Sequence, residues 1–208
     1  MAKLQTLFPT EIYHAALTGA RERRLIADLE AAALSLARED GAGRAWCRRH
    51  GYRGYTSYAS LGNLVDRASV YGELVAILDC HARDFARNLE FALDGQRLVL
   101  NSLWVNILEP GGYHTAHIHP GSVISGTVYI RVPEGAGAIR FEDPRLAMMM
   151  AAPMRRERAS EKRRTFVEVA PKPGTILLWE SWLRHEVPEN RARSRRVSLS
   201  FNYGLEAR

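Results

Sequence analysis

The chain has 208 residues, 46% of them hydrophobic and 25% charged, with a formal net charge of +6 at pH 7. That length supports one well-cored domain with a helical lobe attached, and the most conspicuous apolar patch, Leu146 to Met154, is too short and too interrupted by Pro153 to read as a membrane span. The two cysteines, Cys47 and Cys80, are too few for a disulfide framework, and no Cys-x-x-Cys zinc motif is present.

The N-terminal stretch Met1 to Pro9 lacks the apolar run and small-residue cleavage site of a signal peptide, which makes the cytoplasm the expected location. From Arg21 to Asp40 the apolar residues Leu25, Ile26, Leu29, Ala32, Ala33 and Leu36 recur at three- and four-residue steps, predicting a helix that Gly41-Ala42-Gly43 ends. Residues 44–63, rich in Gly, Tyr, Ser and Trp, read as a long loop over the core. A second helical stretch is predicted from about Val65 to Asp94, broken near Tyr71-Gly72.

From about Arg97 the pattern turns to strands. Leu103 to Leu108 reads as a buried strand and Gly111-Gly112 as a break. Ser125 to Val132 resumes the β pattern, followed by Thr165 to Val169 and Thr175 to Trp179. Helices followed by strands predict an α+β fold, a jelly-roll barrel packed on N-terminal helices. The division is then a single domain over 1–208, mainly helical over 1–95, with the β core over 96–205 and a basic insertion near 144–164.

Seven histidines occur in the chain, and three of them, His114, His117 and His119, fall within six positions beside the Gly111-Gly112 turn. Residues two apart on an extended strand share a face and stand about 6.5–7 Å apart along it, so His117 and His119 can grip one metal ion. A chance pair in a solvated loop is the bland alternative. The flanking strands argue against it, because rigid elements can hold ligands to the tolerance a metal requires.

The ordered blocks Trp104-x-Asn106, Gly111, His117-x-His119-Pro120-Gly121-Ser122, Ser125-Gly126-x-x-Tyr129, Trp182-Leu183-x-His185 and Arg196-x-Ser198-x-Ser200-Phe201-Asn202 resemble a 2-oxoglutarate/Fe(II) oxygenase family of bacteria and phages. The resemblance spans roughly residues 100–204. It implies a double-stranded β-helix, a cupin-like jelly roll, holding a mononuclear Fe(II) with 2-oxoglutarate as co-substrate. A substrate of unknown identity would be hydroxylated with release of succinate and carbon dioxide.

Such oxygenases usually bind iron through two histidines and a carboxylate. Here His119 stands where relatives have Asp or Glu. Either His117, His119 and His185 form a three-histidine face, the favoured set, or a carboxylate completes the site. Glu180 and Glu186 are the nearest in sequence to His185, although Glu186 would face away from it on an extended strand. The fold resemblance implies that His185 approaches from the opposite sheet. Arg196, eleven residues after His185, carries the guanidinium fork that suits the distal carboxylate of the oxoacid, and Ser198 lies two residues on, on the same face. Arg195 points the other way. Asn106 and Tyr129 are polar groups on otherwise apolar strands, candidates for contact with oxoacid or substrate, as is Asn202. His114 could orient a ligand, contact substrate or be a plain loop histidine, the last being favoured, and Ser122 and Ser125 are expected to stabilise the turn after Pro120-Gly121. No catalytic residue beyond the metal site is indicated.

The charge is local. Residues 155–164 carry six bases and two acids, and residues 184–196 five arginines and two glutamates, which leaves the remainder nearly neutral. The first run reads as a solvated insertion or as a field that steers an anionic substrate. Without interleaved aromatics it does not indicate nucleic acid. The expected partners are 2-oxoglutarate, dioxygen and the unknown substrate, with the oligomeric state open, a homodimer included. Rival readings are a cupin-like dioxygenase or zinc hydrolase that uses no oxoacid, and a metal-stabilised binding protein that holds an anionic partner on its basic loop.

Overall fold

The computed structural model describes residues 1–208 as two antiparallel sheets with three helices. The helices are α1 (Ala20–Glu39), α2 (Gly41–Arg49) and α3 (Ser69–Asn88). The six-stranded sheet runs in the order β1 (Tyr13–Ala16), β8 (Thr175–Glu180), β5 (Ile124–Arg131), β10 (Arg196–Ala207), β3 (Gln96–Leu108) and β2 (Gly54–Thr56). The four-stranded sheet runs β4 (His114–His117), β9 (His185–Val187), β6 (Ile139–Glu142) and β7 (Phe166–Val169).

The period-2 alternation of strands sorts the large sheet into two chemically different faces. On β10, Val197, Leu199, Phe201 and Tyr203 join the hydrophobic core, together with Leu103, Val105 and Ile107 of β3. Helices α1 and α3 complete that core through Leu25, Leu29 and Leu36, and through Leu74, Leu78 and Phe85. Each leucine so buried contributes about 1.5–3 kcal/mol relative to exposure. The other face of the same strands carries Asn106, Thr127, Tyr129, Trp179, Arg196, Ser198 and Ser200, all of which line one cavity. A strand buried on both sides can hold such polar groups only if each has a partner, so this face is where function is to be sought.

Several expectations need correcting. Gly41-Ala42-Gly43 begins a helix as well as following one: Asp40 caps α2 by accepting the Gly43 N–H at 2.8 Å. Residues 44–63 are therefore not one long loop, since they include most of α2 and all of β2. Helix α3 is continuous through Tyr71-Gly72, because Tyr71 is buried in the core and the glycine costs only about 1 kcal/mol in a helix held by packing. Ser125 lies within β5, not in a turn. The basic insertion, between β6 and β7, has only two short 3-10 turns, Leu146–Met148 and Glu161–Arg163, and exposes Met148, Met150 and Met154.

Candidate active site

Strand β4 ends at His117 and lies beside β9, where His117 and His185 are direct register partners. His185 thus comes from the neighbouring strand of the same sheet and not from the opposite one. His119 lies just past the end of β4, so strand alternation alone does not align it with His117. Its backbone N–H donates to the Ser181 carbonyl at 3.0 Å, which turns it back toward the pair. Ser181 is anchored in turn: its hydroxyl meets Ser125 Oγ at 2.8 Å, and Ser125 Oγ donates to Asn202 Oδ1 at 2.7 Å. Asn202 and Ser125 thereby hold the loop that presents His119.

The three imidazoles offer ligand atoms that all lie within 4.8 Å of one another. Ring centroids are 4.5 Å apart for His117 and His185, 5.0 Å for His117 and His119, and 5.2 Å for His119 and His185. His117 Nδ1 is 2.7 Å from the Thr115 carbonyl and His185 Nδ1 is 2.9 Å from the Leu183 carbonyl. A carbonyl only accepts, so each Nδ1 carries the proton and each Nε2 is left free as a ligand. Burial, with the His117 imidazole adding to it, pushes the His119 pKa down to about 4. Burial lowers His185 to about 3, with His117 and His119 assisting and the Leu183 carbonyl opposing. Both rings are therefore neutral at pH 7, the form that binds metal.

No carboxylate joins this group. Glu186 pairs with Arg140 instead, and neither Glu186 nor Glu180 lines the cavity. The donor set is three imidazole nitrogens, which suits a divalent first-row ion.

Across the cavity, on the large sheet, lies Arg196. Only 2% exposed, it stacks its guanidinium 4.9 Å from the Tyr129 ring centroid, and it forms no salt bridge. Its Nε has no hydrogen-bond partner, and neither do the Tyr129 hydroxyl and the Trp179 indole N–H. Three orphaned polar atoms on one cavity wall, one of them on a buried cation, fit a bound anion. Ser198, Ser200 and Thr127 share this wall. Asn106 also lines it, but its amide is engaged: Thr56 Oγ1 donates to Oδ1 at 2.9 Å, and Nδ2 donates to Ser200 Oγ at 3.0 Å. Arg195 lies outside, beside Glu109.

His114 is not a plain loop residue. It is the first residue of β4, it lines the same cavity as Arg196, and its Nε2 is 2.7 Å from the Tyr52 hydroxyl. Burial, with Arg196, His117 and His185 adding to it, pushes its pKa down to about 3. Tyr52, Thr127 and Trp179 were not singled out from the sequence. Only spacing to His117 flags His114, and nothing local flags Tyr52, whose place beside His114 depends on tertiary packing.

Residues 102–202, about half the chain, match the family model described as "Putative 2OG-Fe(II) oxygenase". Among solved structures the fold is similar to a Pseudomonas putida prolyl-4-hydroxylase, at 16% identity and TM-score 0.59, over 94% of this chain and 92% of that one. It is also similar to the epimerase SnoN from nogalamycin biosynthesis, solved with Fe3+ and alpha ketoglutarate, at 16% identity and TM-score 0.60 over 96% and 82%. HygX from Streptomyces hygroscopicus, solved with nickel and 2-oxoglutarate, gives 15% identity and TM-score 0.59 over 94% and 82%. No curated protein matches the sequence. Residues 102–202 thus carry the match to the 2OG-Fe(II) oxygenases, oxidoreductases that use iron and 2-oxoglutarate.

Proposed function

We propose that this oxygenase hydroxylates an organic substrate at a C–H bond, with His117, His119 and His185 holding the iron and Arg196 holding 2-oxoglutarate. The observation that carries the reading is the buried, unpaired Arg196 facing the three-histidine cluster across one cavity. A buried guanidinium without a counter-charge costs several kcal/mol, and a dicarboxylate that reaches from metal to arginine removes that cost.

Each residue then has a role that follows from its chemistry. Nε2 of His117 and of His185 are aimed by the carbonyl bonds at their Nδ1 atoms. Arg196 takes the distal carboxylate with its planar fork, and the Tyr129 and Ser198 hydroxyls add donors beside it. Asn106, tied to Thr56 and Ser200, fixes the wall between oxoacid and substrate. Phe141 and Trp179 flank His185 and keep water from the buried side of the cluster. When bound, the iron brings 2-oxoglutarate and dioxygen together, and the overall conversion yields hydroxylated substrate, succinate and carbon dioxide.

The same reading takes the two sheets as the halves of a double-stranded β-helix barrel. It takes the chain as one domain, since helix and strand residues share one core. Both cysteines are free, which fits a reducing cytoplasm. No helix is long and apolar enough to cross a membrane. The test is stoichiometric: with Fe(II) and dioxygen the protein should release succinate from 2-oxoglutarate, even slowly without substrate, and Arg196→Gln should lose this. Iron binding with no turnover of the oxoacid would overturn the assignment in favour of oxoacid-independent metal chemistry.

A further inference from the structure

A second cleft, of about 450 Å³, opens onto the histidine cluster from the outside and shares His117 and His119 with the inner cavity. Its size is that of a small-molecule site, in which a few polar groups select a ligand held by apolar contact. The walls come from three places in the chain: Trp46 and His50 from α2 and its end, Tyr52, Arg53 and Tyr58 from the strand β2 region, and Trp104 with Tyr113 from β3 and the turn after it.

Two features of this wall set the chemistry. The first is its density of rings. Trp46 stacks on His50 with centroids 4.3 Å apart and planes 21° apart, and Tyr58 meets Trp104 edge-on at 5.3 Å, so two aromatic pairs border the cleft. Trp104 continues inward to His119, at 5.8 Å. A planar ring can stack here, and each aromatic contact of this kind contributes about 0.5–1.5 kcal/mol beyond its area.

The second is charge. No aspartate or glutamate lines the cleft, whereas Arg53 does. Its guanidinium lies across Gly111, where a Cβ would stand 2.6 Å from Nη1, and the left-handed backbone there (φ +82°) also requires glycine. Arg53 forms no salt bridge, although Glu109 stands two residues before Gly111 and pairs with Arg195 instead. The cleft therefore presents an unpaired cation beside stacked rings, a combination that disfavours cationic ligands and saturated lipids.

We infer that the cleft binds a small aromatic carboxylic acid, its ring among Trp46, Tyr58 and Trp104 and its carboxylate on Arg53. This deepens the proposed function and rests on it for the statement that the molecule so held is the substrate. The ring is then carried toward His119, and the carboxylate stays at the mouth, away from Arg196.

Three probes test this by ligand-observed NMR titration of the full-length protein, with and without saturating 2-oxoglutarate: 2-naphthoate, 2-naphthamide and cyclohexanecarboxylate. The naphthoate should bind about tenfold tighter than either of the others, as expected for loss of a charge-assisted pair or of ring stacking. Arg53→Gln should erase the preference for acid over amide and leave ring binding in place. Trp46→Ala, checked for an unchanged melting temperature, should weaken the naphthoate and naphthamide alone. 2-Oxoglutarate should not displace the naphthoate, and Arg196→Gln should not weaken it. Equal binding of acid and amide, no binding of any probe, or displacement by 2-oxoglutarate would overturn the inference. Naphthoate binding with no 2-oxoglutarate binding would instead overturn the oxoacid assignment and leave the cleft's ligand class standing.

Discussion

His117 and His185 face each other across the β4–β9 ladder as direct register partners, and each anchors its Nδ1 on the carbonyl two residues before it, Thr115 and Leu183. The two rings are fixed by the same local bond on adjacent strands, so replacing either removes one of the aimed Nε2 atoms from the proposed metal site. His117→Ala and His185→Ala should each weaken Fe(II) or Zn(II) binding by more than about a hundredfold. Competition against a chromophoric chelator would measure this, and near-native affinity in either variant would show that the cluster is not the metal site.

Arg196 invites a prediction with opposite signs for stability and binding. Replacing a buried ion pair by apolar side chains of similar volume is often neutral or stabilising by about 1–4 kcal/mol, and a buried cation with no counter-charge has still less to lose. Arg196→Met should therefore melt at a higher temperature than the parent when no oxoacid is present. The parent should gain stability on adding 2-oxoglutarate and the variant should not. A variant that is less stable in the absence of oxoacid would mean that the arginine is satisfied internally.

Gly126 pairs with Phe201 in the β5–β10 ladder and gives the Phe201 ring its space. An added Cβ would collide with that ring and stand 2.7 Å from the Leu177 carbonyl oxygen. Gly126→Ala should cost about 1–3 kcal/mol by urea unfolding, since neither a buried ring nor a backbone carbonyl can yield cheaply. No loss of stability would show that the core beneath β10 is looser than its burial indicates.

Asp40 ties α1, α2 and β2 together. Burial raises its carboxyl pKa, but the hydrogen bonds from Ser60, the Gly43 N–H and the Tyr55 hydroxyl outweigh this and hold it below the ordinary value. A carboxylate whose folded pKa is depressed contributes stability that is present above its unfolded pKa, near about 4, and lost as pH falls through the folded value. Asp40→Ala should cost about 1–3 kcal/mol at pH 7. The difference from the parent should shrink below about pH 4, measured by denaturant titration at each pH.

The sequence made the long periodic elements legible. Helix α1 is visible in Leu25, Leu29 and Leu36, and the two faces of β10 are visible in the alternation from Arg196 to Asn202. The three histidines and Arg196 could be proposed because metal and carboxylate chemistry restricts residue type. What escaped depended on tertiary context. Gly43 reads as a helix breaker, yet it sits in the first turn of α2 because a side chain there would strike the Asp40 carboxylate that caps the helix, and would stand 2.7 Å from Ser60 Oγ. Tyr52 joins the site only through its bond to His114, 62 residues away. The neighbouring placement of β4 and β9 is a property of sheet order that no local pattern encodes.

The central claim is that one cavity holds iron on His117, His119 and His185 and 2-oxoglutarate on that iron and Arg196. Anaerobic titration of the Fe(II)-loaded protein with 2-oxoglutarate tests it most directly. A visible metal-to-ligand charge-transfer band should grow to one equivalent, vanish in His117→Ala, and need much higher oxoacid concentrations in Arg196→Gln. An Fe(II)-loaded protein that develops no band at saturating 2-oxoglutarate would contradict the account.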